Sequence, residues 1–274
     1  GRSDALSHAV SRLREELQQR LAQGVEIAGA WLRDEVGLCD AASVQLLAYC
    51  AEQVAGFGLL PTQRQLAMER FFDEAGSTHL VIHAPFGSRI NKAWGLALRK
   101  RFCRSFNFEL QAAATENAIV LSLSTSHSFP LADVAGFLHS NTARDILVQA
   151  LLDAPLFPTR FRWNAVTALA LPRFSSGRKV APQLQRMKSE DLLATVFPDQ
   201  VACLENIVGD REVPDHPLVR QTLDDCLQEA MDAEGWLAVL RGIESGAIDI
   251  VARDLTAPSV FAAEALNAAP YALL

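Results

Sequence analysis

The chain has 274 residues, of which half are hydrophobic, and its mean hydropathy of +0.11 is typical of a globular protein rather than a disordered one. This length can bury one sizeable core or two small ones. The sequence has no run of 18 apolar residues and no hydrophobic signal-peptide segment at its start, so we expect no membrane partner and a cytoplasmic location.

The net charge of −7 hides an uneven distribution of charge along the chain. Residues 1–80 carry 7 basic and 11 acidic side chains, residues 81–190 carry 14 and 6, and residues 191–274 carry 4 and 15. A basic middle between acidic flanks suggests a surface that faces a polyanion. The alternative is that the three segments fold together and neutralise one another.

The first part of the chain, residues 1–76, is predicted to be helical. Hydrophobic periodicity indicates helices over residues 4–21, 25–36 and 41–57, followed by another near 63–73. Ser3 is a suitable N-cap for the first helix, and Thr62 could cap the fourth.

The second part, residues 77–190, is predicted to contain the strands. Residues 79–86 read as a strand, 89–105 as a basic helix, and 108–114 and 118–124 as two strands joined by a turn at Glu116 and Asn117. Helices follow from about 130 to 172, with interruptions at Pro155 and Pro158. Residues 173–182 then form a basic loop.

The third part, residues 191–274, is acidic and mainly helical, with one late strand. Helices are predicted over 183–196, 198–208, 216–231 and 233–243, and the strand at 248–254 should join the central sheet. The fold class is therefore α+β: one domain, mostly helical, around a small mixed or antiparallel β-sheet.

Motifs of several enzyme classes are absent from the sequence. There is no GxxxxGK[ST] phosphate loop, and GxGxxG, GxSxG, HExxH and HxE…CxxC are also missing. The five cysteines are widely spaced and include no CxxC pair, as expected of reduced thiols rather than zinc ligands. We expect no catalytic residue, no metal and no cofactor in this chain.

Residues 83–106 carry the strongest functional signal. Six cations fall within sixteen residues: Arg89, Lys92, Arg99, Lys100, Arg101 and Arg104. Trp94 and three phenylalanines are interleaved with them, and cations contact phosphates while aromatic planes stack on bases. Gly87 and Ser88 open the helix, whose free N–H groups suit a phosphate. Trp94, Leu98 and Phe102 also recur every fourth residue, which is the pattern of a buried stripe, so both roles stay open for Trp94.

Residues 160–188 form a second basic segment, in which Phe161, Trp163 and Phe174 are interleaved with cations. The cations are Arg160, Arg162, Arg173, Arg178, Lys179, Arg186 and Lys188. The loop at 173–182 is a candidate phosphate contact, and its alternative is a solvated cationic loop. We expect the two basic segments to lie on one face.

At these residues the sequence resembles a known family. The runs IHAPFGSRINKAWGLALRKRF and RFRWNAVTALALPRF resemble the C-terminal, DEAD/H-associated region of the large helicase-related (Lhr) proteins, which are superfamily 2 DNA helicases. The resemblance continues through residues 184–206, 215–232 and 248–266 and so covers nearly the whole chain in order. It is closest to the bacterial branch linked with DNA ligase and nuclease genes.

The resemblance implies the fourth domain of a larger protein, after two RecA-like motor domains and a winged-helix domain. In this family the parent protein uses ATP and Mg²⁺, moves 3′ to 5′ along single-stranded DNA, and unwinds duplexes and RNA:DNA hybrids. A tryptophan of the fourth domain contacts the strand, and Trp94 is the best match. The expected function is to grip nucleic acid and couple ATP hydrolysis to unwinding in DNA repair.

The predicted nucleic-acid-binding residues are Arg89, Asn91, Lys92, Trp94, Arg99, Arg101, Arg160, Arg162, Arg173, Arg178 and Lys179. The alternative function is an interaction domain that braces the motors or recruits repair partners such as a ligase or nuclease. The acidic third of the chain favours that alternative. A weaker hypothesis is an unrecognised nuclease or glycosylase, which would need clustered carboxylates in a basic cleft.

Overall fold

A computed structural model of the protein describes residues 1–74, 76–106, 110–123, 129–202 and 209–268, apart from the side chains of residues 105 and 106. The α-helices in these ranges are α1 (Asp4–Leu21), α2 (Val25–Asp34), α3 (Asp40–Phe57), α4 (Ser88–Phe106), α5 (Ser140–Leu152), α6 (Leu156–Thr167), α7 (Pro182–Val196), α8 (Pro217–Asp224), α9 (Ala233–Glu244) and α10 (Val260–Ala268). The strands are β1 (Gln65–Phe72), β2 (Thr78–His83), β3 (Leu110–Ala114), β4 (Ala118–Leu123), β5 (Phe174–Ser175), β6 (Arg178–Lys179) and β7 (Asp249–Asp254).

Five strands form a mixed sheet in the order β3-β4-β2-β1-β7. All neighbours are antiparallel except β1 and β7, which are parallel. The late strand therefore joins the central sheet as predicted, and the α+β fold class is confirmed.

The two faces of the sheet are covered by different helices, because alternate residues of each strand point to opposite sides. Leu80 and Ile82 of β2 face the main core, which also contains side chains of α4, α5 and α9. Val81, between them, faces α10 and packs in a cluster with Ala262. This alternation places α4 across one face of the sheet.

The predicted helix near residues 63–73 is wrong, because this segment is strand β1 in the interior of the sheet. Leu66, Ala67, Met68 and Glu69 are consecutive buried residues, so the strand shows no alternation of polar and apolar residues. Leu, Ala, Met and Glu also favour helices, and tertiary pairing overrides that preference. Thr62 caps no helix; its hydroxyl accepts hydrogen bonds from the N–H groups of Arg64 and Gln65.

The N-terminal helices form as predicted and pack in their own cluster. Ser3 caps α1 by accepting a hydrogen bond from the Leu6 N–H, at 3.3 Å. Gly58 ends α3 with φ of 109°, a conformation that glycine adopts at little cost. Phe261 of α10 joins this cluster and connects it to the sheet.

The break between α5 and α6 lies next to the prolines, as predicted. Pro155 precedes α6, while Pro158 lies in the first turn of α6, where its missing N–H costs little. Of the predicted helix at 198–208, Pro198–Gln200 is a 3₁₀ turn and residues 203–208 lie outside the described part of the chain. The predicted helix at 216–231 is α8 followed directly by a π-helix, Asp225–Ala230.

Two further properties concern the chain as a whole. Within the described ranges, no helix is both long enough and apolar enough to cross a membrane. Cys50 and Cys226 are buried free thiols, and burial raises their pKa values to about 11 and about 12. Both thiols therefore stay protonated near neutral pH, which makes them poor nucleophiles.

A buried carboxylate links the sheet to α10. The side chain of Glu69 on β1 accepts hydrogen bonds from His83 Nε2 at 2.5 Å and from the backbone N–H and the hydroxyl of Ser259 at 2.9 and 2.5 Å. Burial alone would raise the pKa of Glu69, but these donors outweigh it and the net pKa is lowered from its ordinary 4.5.

We predict that Glu69 contributes stability that is lost in acid. Because its pKa is lower in the folded chain than in the unfolded chain, the contribution is present above pH 4.5 and disappears as the pH falls through the folded pKa. Glu69→Ala should lower the free energy of unfolding by about 3–5 kcal/mol at neutral pH, since His83 and Ser259 lose their acceptor. Urea titrations between pH 3 and 7 would measure this, with exposed Glu26→Ala as the control. Equal acid sensitivity in the Glu69 variant and the native chain would contradict the prediction.

Candidate nucleic-acid interface

The aromatic stripe of α4 is part of the core. Trp94 is 2% exposed, and Leu98 and Phe102 are also buried in the main core cluster. A base could reach the Trp94 ring only if α4 left the sheet. The predicted stacking role of Trp94 therefore does not fit this structure, and the buried-stripe alternative does.

Asn91 is also structural. Its side-chain amide is fully buried and donates hydrogen bonds to the carbonyl oxygens of Ala84 at 2.8 Å and Thr115 at 3.0 Å. These bonds join the start of α4 to the β2 end and to the β3–β4 turn. The predicted nucleic-acid contact by Asn91 is not possible from this position.

The N-terminus of α4 is occupied by a carboxylate of the protein itself. Glu116, in the β3–β4 turn, accepts hydrogen bonds from the Ser88 N–H at 2.8 Å, the Ser88 hydroxyl at 3.0 Å and the Arg2 N–H at 3.0 Å. Burial would raise the pKa of Glu116, but these bonds lower it overall, so the group is ionised. The expected phosphate site at Gly87 and Ser88 is therefore filled by Glu116.

Arg89, the first cation of α4, binds backbone carbonyls. Its guanidinium donates to the carbonyl oxygens of Gln228 and Met231, the latter at 3.0 Å. These carbonyls lie at the C-terminal end of the π-helix, where backbone acceptors lack intrahelical donors and cations are favourable. Arg89 thus caps a helix end rather than presenting a free charge.

Two cations in the second half of α4 are paired with carboxylates. Lys100 donates to Asp153 at 2.6 Å, and Arg211 donates to the other oxygen of the same carboxylate at 2.6 Å. Partial burial would raise the pKa of Asp153, but the two cations outweigh it and lower the pKa overall. Arg104 pairs in the same way with Asp210. These contacts fasten α4 to the loops that flank α6 and α8.

The remaining cations of α4 differ in setting. Arg101 is exposed and Lys92 is half-buried, and neither has an ion-pair partner among the described residues. Arg99 lines a cavity of about 520 Å³ beside Asp73 and His79. In the described part of the chain no group of three or more His, Cys, Asp or Glu side chains could hold a metal ion.

Arg160 on α6 is also engaged. It forms an ion pair with Glu229 of the π-helix at 3.1 Å, and its guanidinium lies 5.0 Å from the centre of the Trp163 ring. Arg89 and Arg160 therefore both contact the same π-helix and the residue that follows it. Acids of the last third also pair with Arg104 and Arg144, through Asp210 and Glu234. Around α4, α5 and the start of α6, several acidic and basic side chains therefore pair with one another, although Lys92 and Arg101 have no ion-pair partner among the described residues.

The connection between α6 and α7 presents its cations to solvent. The predicted basic loop contains a small hairpin, β5–β6, in which Phe174 pairs with Lys179 and Ser175 with Arg178. Ser176 and Gly177 both have positive φ, of 50° and 74°, as in the type I′ turn that suits two-residue hairpins. Arg173, Arg178 and Lys179 are exposed here, and none has an ion-pair partner among the residues the structure describes.

Large apolar side chains are exposed along the same helical hairpin. Trp163 is 52% exposed and Phe174 is 63% exposed. Sequence reasoning missed the others, which are Leu169, Leu184 and Met187. No periodicity in the sequence singles out these three side chains as exposed, because exposure depends on which segments pack against α6 and α7. We use the name hairpin surface for the exposed Trp163 of α6 together with the exposed tip residues Arg173, Phe174, Arg178 and Lys179.

The chain is similar to known proteins over most of its length. The family model described as "DEAD/H associated" matches residues 60–262, which run from just before β1 into α10. The Lhr helicase/uracil glycosylase of Escherichia coli K12 is 29% identical over 250 residues, covering 90% of this chain and 15% of that protein. The ATP-dependent helicase Lhr-Core of Sulfolobus acidocaldarius is 22% identical over 220 residues, covering 80% of this chain and 24% of that protein.

A solved structure matches nearly the whole chain. The structure of the Mycobacterium smegmatis helicase Lhr bound to ssDNA and AMP-PNP superposes with a TM-score of 0.78 at 26% identity, covering 97% of this chain and 32% of that one. The chain thus spans only about a seventh to a third of the proteins it matches. The resemblance to Lhr helicases stated from the sequence runs is confirmed.

We predict that Trp94 and Trp163 respond differently to truncation. Trp94→Ala removes a buried ring from the main core and should lower the free energy of unfolding by about 3–5 kcal/mol. Trp163→Ala removes an exposed ring with one cation–π contact and should cost less than about 1 kcal/mol. Chemical denaturation of both variants would measure the difference. An unchanged unfolding midpoint for Trp94→Ala would contradict the burial of the ring and would support its predicted contact with the strand.

Proposed function

The chain belongs to the DEAD/H-associated family, and we propose that it is the nucleic-acid-gripping domain of an Lhr-type, ATP-dependent helicase. In this proposal it forms one wall of a channel for single-stranded DNA. The parent moves 3′ to 5′ along the strand, in the cytoplasm and in the service of DNA repair. ATP and Mg²⁺ belong to the RecA-like motor domains of the parent, which are the partners of this chain together with its winged-helix domain.

The observation that carries the proposal is the unneutralised charge of the hairpin surface. No acidic residue occurs between Phe161 and Ser189, and none of the six cations in this stretch has an ion-pair partner among the described residues. Elsewhere in the basic part of the chain, Lys100, Arg104 and Arg160 have carboxylate partners. A cluster of unpaired cations creates a positive potential that attracts a polyanion such as a nucleic-acid backbone.

The second support is the chemistry of the exposed rings. Phe174 lies on the hairpin between Arg173 and the turn, and Trp163 lies on α6 with Arg160 against its ring. Cations that contact phosphates and aromatic rings that stack on bases together bind single strands with little sequence preference. Such a grip suits a domain that must hold any sequence while motors pull it.

The proposed coupling follows from how firmly the hairpin surface is connected to the rest of the fold. Arg160 joins α6 to the π-helix, and Arg89 joins the π-helix to α4, which lies on the sheet. A force on the strand would therefore pass from the hairpin surface to the core through hydrogen-bonded contacts. The unwinding of RNA:DNA hybrids would use the same grip, because backbone contacts and stacking do not require one sugar.

One observation favours the second candidate function, a domain that braces the motors or recruits a ligase or nuclease. Three of the six cations of α4, Arg89, Lys100 and Arg104, serve as internal contacts, and the last third of the chain carries 15 acidic residues. Measurable binding of single strands by this chain separates the two functions. If it binds no strand even at low salt, the bracing function becomes the better proposal.

We predict weak, salt-sensitive binding of single-stranded DNA that depends on the hairpin cations. If three phosphates are contacted, the logarithm of affinity should fall against the logarithm of salt concentration with a slope of about −2. Replacing Arg173, Arg178 and Lys179 by alanine should remove most of this slope. Arg241→Ala, an exposed cation on α9, is the control. Fluorescence anisotropy with a labelled oligonucleotide would measure it, and a salt-independent affinity would refute an electrostatic grip.

We also predict that the exposed rings act through stacking. Phe174→Ala and Trp163→Ala should each weaken single-strand binding by about 1–3 kcal/mol without a comparable loss of fold stability. Phe72→Ala removes a similarly exposed ring, 53% exposed, from β1 and should leave binding unchanged. The measurement is the same anisotropy titration combined with a melting curve. Native affinity in both hairpin-surface variants would rule out stacking at these rings.

A further inference from the structure

A cavity of about 340 Å³ lies between α6 and α7, away from the hairpin tip. Thr159 and Arg162 of α6 line one side, and Arg186, Ser189 and Glu190 of α7 line the other. Two guanidinium groups thus share one small cavity. Its volume is at the lower end of the range of small-ligand sites, so it can hold a compact polar group.

Neither guanidinium is satisfied by the protein. Arg162 is half-buried, yet neither it nor Arg186 has a hydrogen bond or ion pair to any residue in the described ranges. The more shielded Arg70 and Arg211 each bind a carboxylate instead. Arg186 is exposed and solvated, but the partial removal of Arg162 from water without an acceptor is unfavourable, so its setting suits an acceptor that comes from outside the chain.

A hydroxyl on α7 supports the same conclusion. Ser189 is 5% exposed as a residue and lines the cavity, and its hydroxyl has no hydrogen-bond partner among the described residues. The cavity therefore offers two guanidinium forks and one hydroxyl donor. The single opposing group is the carboxylate of Glu190, which lies beyond ion-pair distance of every cation that the structure describes.

We propose that this cavity is a phosphate-binding site formed by Arg162, Arg186 and Ser189. Guanidinium groups bind phosphate oxygens in a bidentate fashion, and a free hydroxyl can donate to a third oxygen. Glu190 weakens the site by repulsion, which lets the phosphate leave. The phosphate belongs to the backbone of the strand gripped at the hairpin surface. That source rests on the proposed function, whereas the phosphate chemistry rests on the cavity alone.

The test uses two probes, inorganic pyrophosphate and an oligo-dT strand. Arg162→Ala and Arg186→Ala should each weaken pyrophosphate binding at least tenfold by titration calorimetry, and Glu190→Gln should strengthen it severalfold. Lys188→Ala is the matched control, because it removes the same charge from the same helix but does not line the cavity. For oligo-dT, the double arginine variant should lower the salt slope by about 0.7, the value for one phosphate.

The possible outcomes separate this proposal from the function proposed above. If oligo-dT binding depends on Arg173, Arg178 and Lys179 but is unchanged in the double arginine variant, and pyrophosphate does not bind, the cavity is not a phosphate site and the grip stands. If pyrophosphate binds through Arg162 and Arg186 but oligo-dT does not bind at all, the phosphate site stands and its ligand is a free phosphorylated molecule. Equal loss of pyrophosphate binding in the Lys188 variant would overturn the assignment to the cavity.

Discussion

The burial of α4 against the sheet is the constraint on which the rest of the structure depends. Trp94, Leu98 and Phe102 point into the main core, where side chains of β1, β2, β4, α5 and α9 also meet. Burying rings and branched chains of this size is the main favourable contribution to folding. The helix that carries the densest basic run in the sequence is therefore held by its apolar side, and its cations must be accommodated by whatever lies around it.

The acidic last third of the chain supplies hydrogen-bond acceptors for several cations of the middle third. The end of the π-helix accepts from Arg89, Asp210 accepts from Arg104, and Glu229 accepts from Arg160. Asp153, an acid of the middle third, binds Lys100 of the same third and Arg211 of the last third. The opposite charges of the middle and the last third thus become contacts between layers of helices. The π-helix, a rare conformation that often marks a functional position, lies where two of these contacts meet.

The α6–α7 hairpin lies outside this neutralised region, which is why it is the part of the chain suited to bind an external polyanion. Its tip is a tight β-hairpin that presents Phe174, Arg178 and Lys179 to solvent, and its body encloses the cavity with Arg162 and Arg186. Exposed aromatic rings and unpaired cations both occur on this hairpin, whereas on α4 the Trp94 ring is buried and Arg89, Lys100 and Arg104 are engaged within the protein. The same residue types therefore have different roles on two helices, depending on what packs against them.

The sequence by itself determined the fold class, most helices, the strands β2, β3, β4 and β7, and the family, because local periodicity and long ordered runs are properties of the chain alone. It did not reveal β1, since Leu66 to Glu69 are buried on both faces and leave no alternation. It identified the basic residues but not which are free. Arg89 and Arg178 cannot be told apart in the sequence. Only the tertiary structure shows that the Arg89 guanidinium donates to the Met231 carbonyl at 3.0 Å, while Arg178 is exposed to solvent. Likewise Trp94 and Trp163 have similar basic neighbours, and the packing of α4 on the sheet decides which ring is buried, because burial is a property of distant segments brought together.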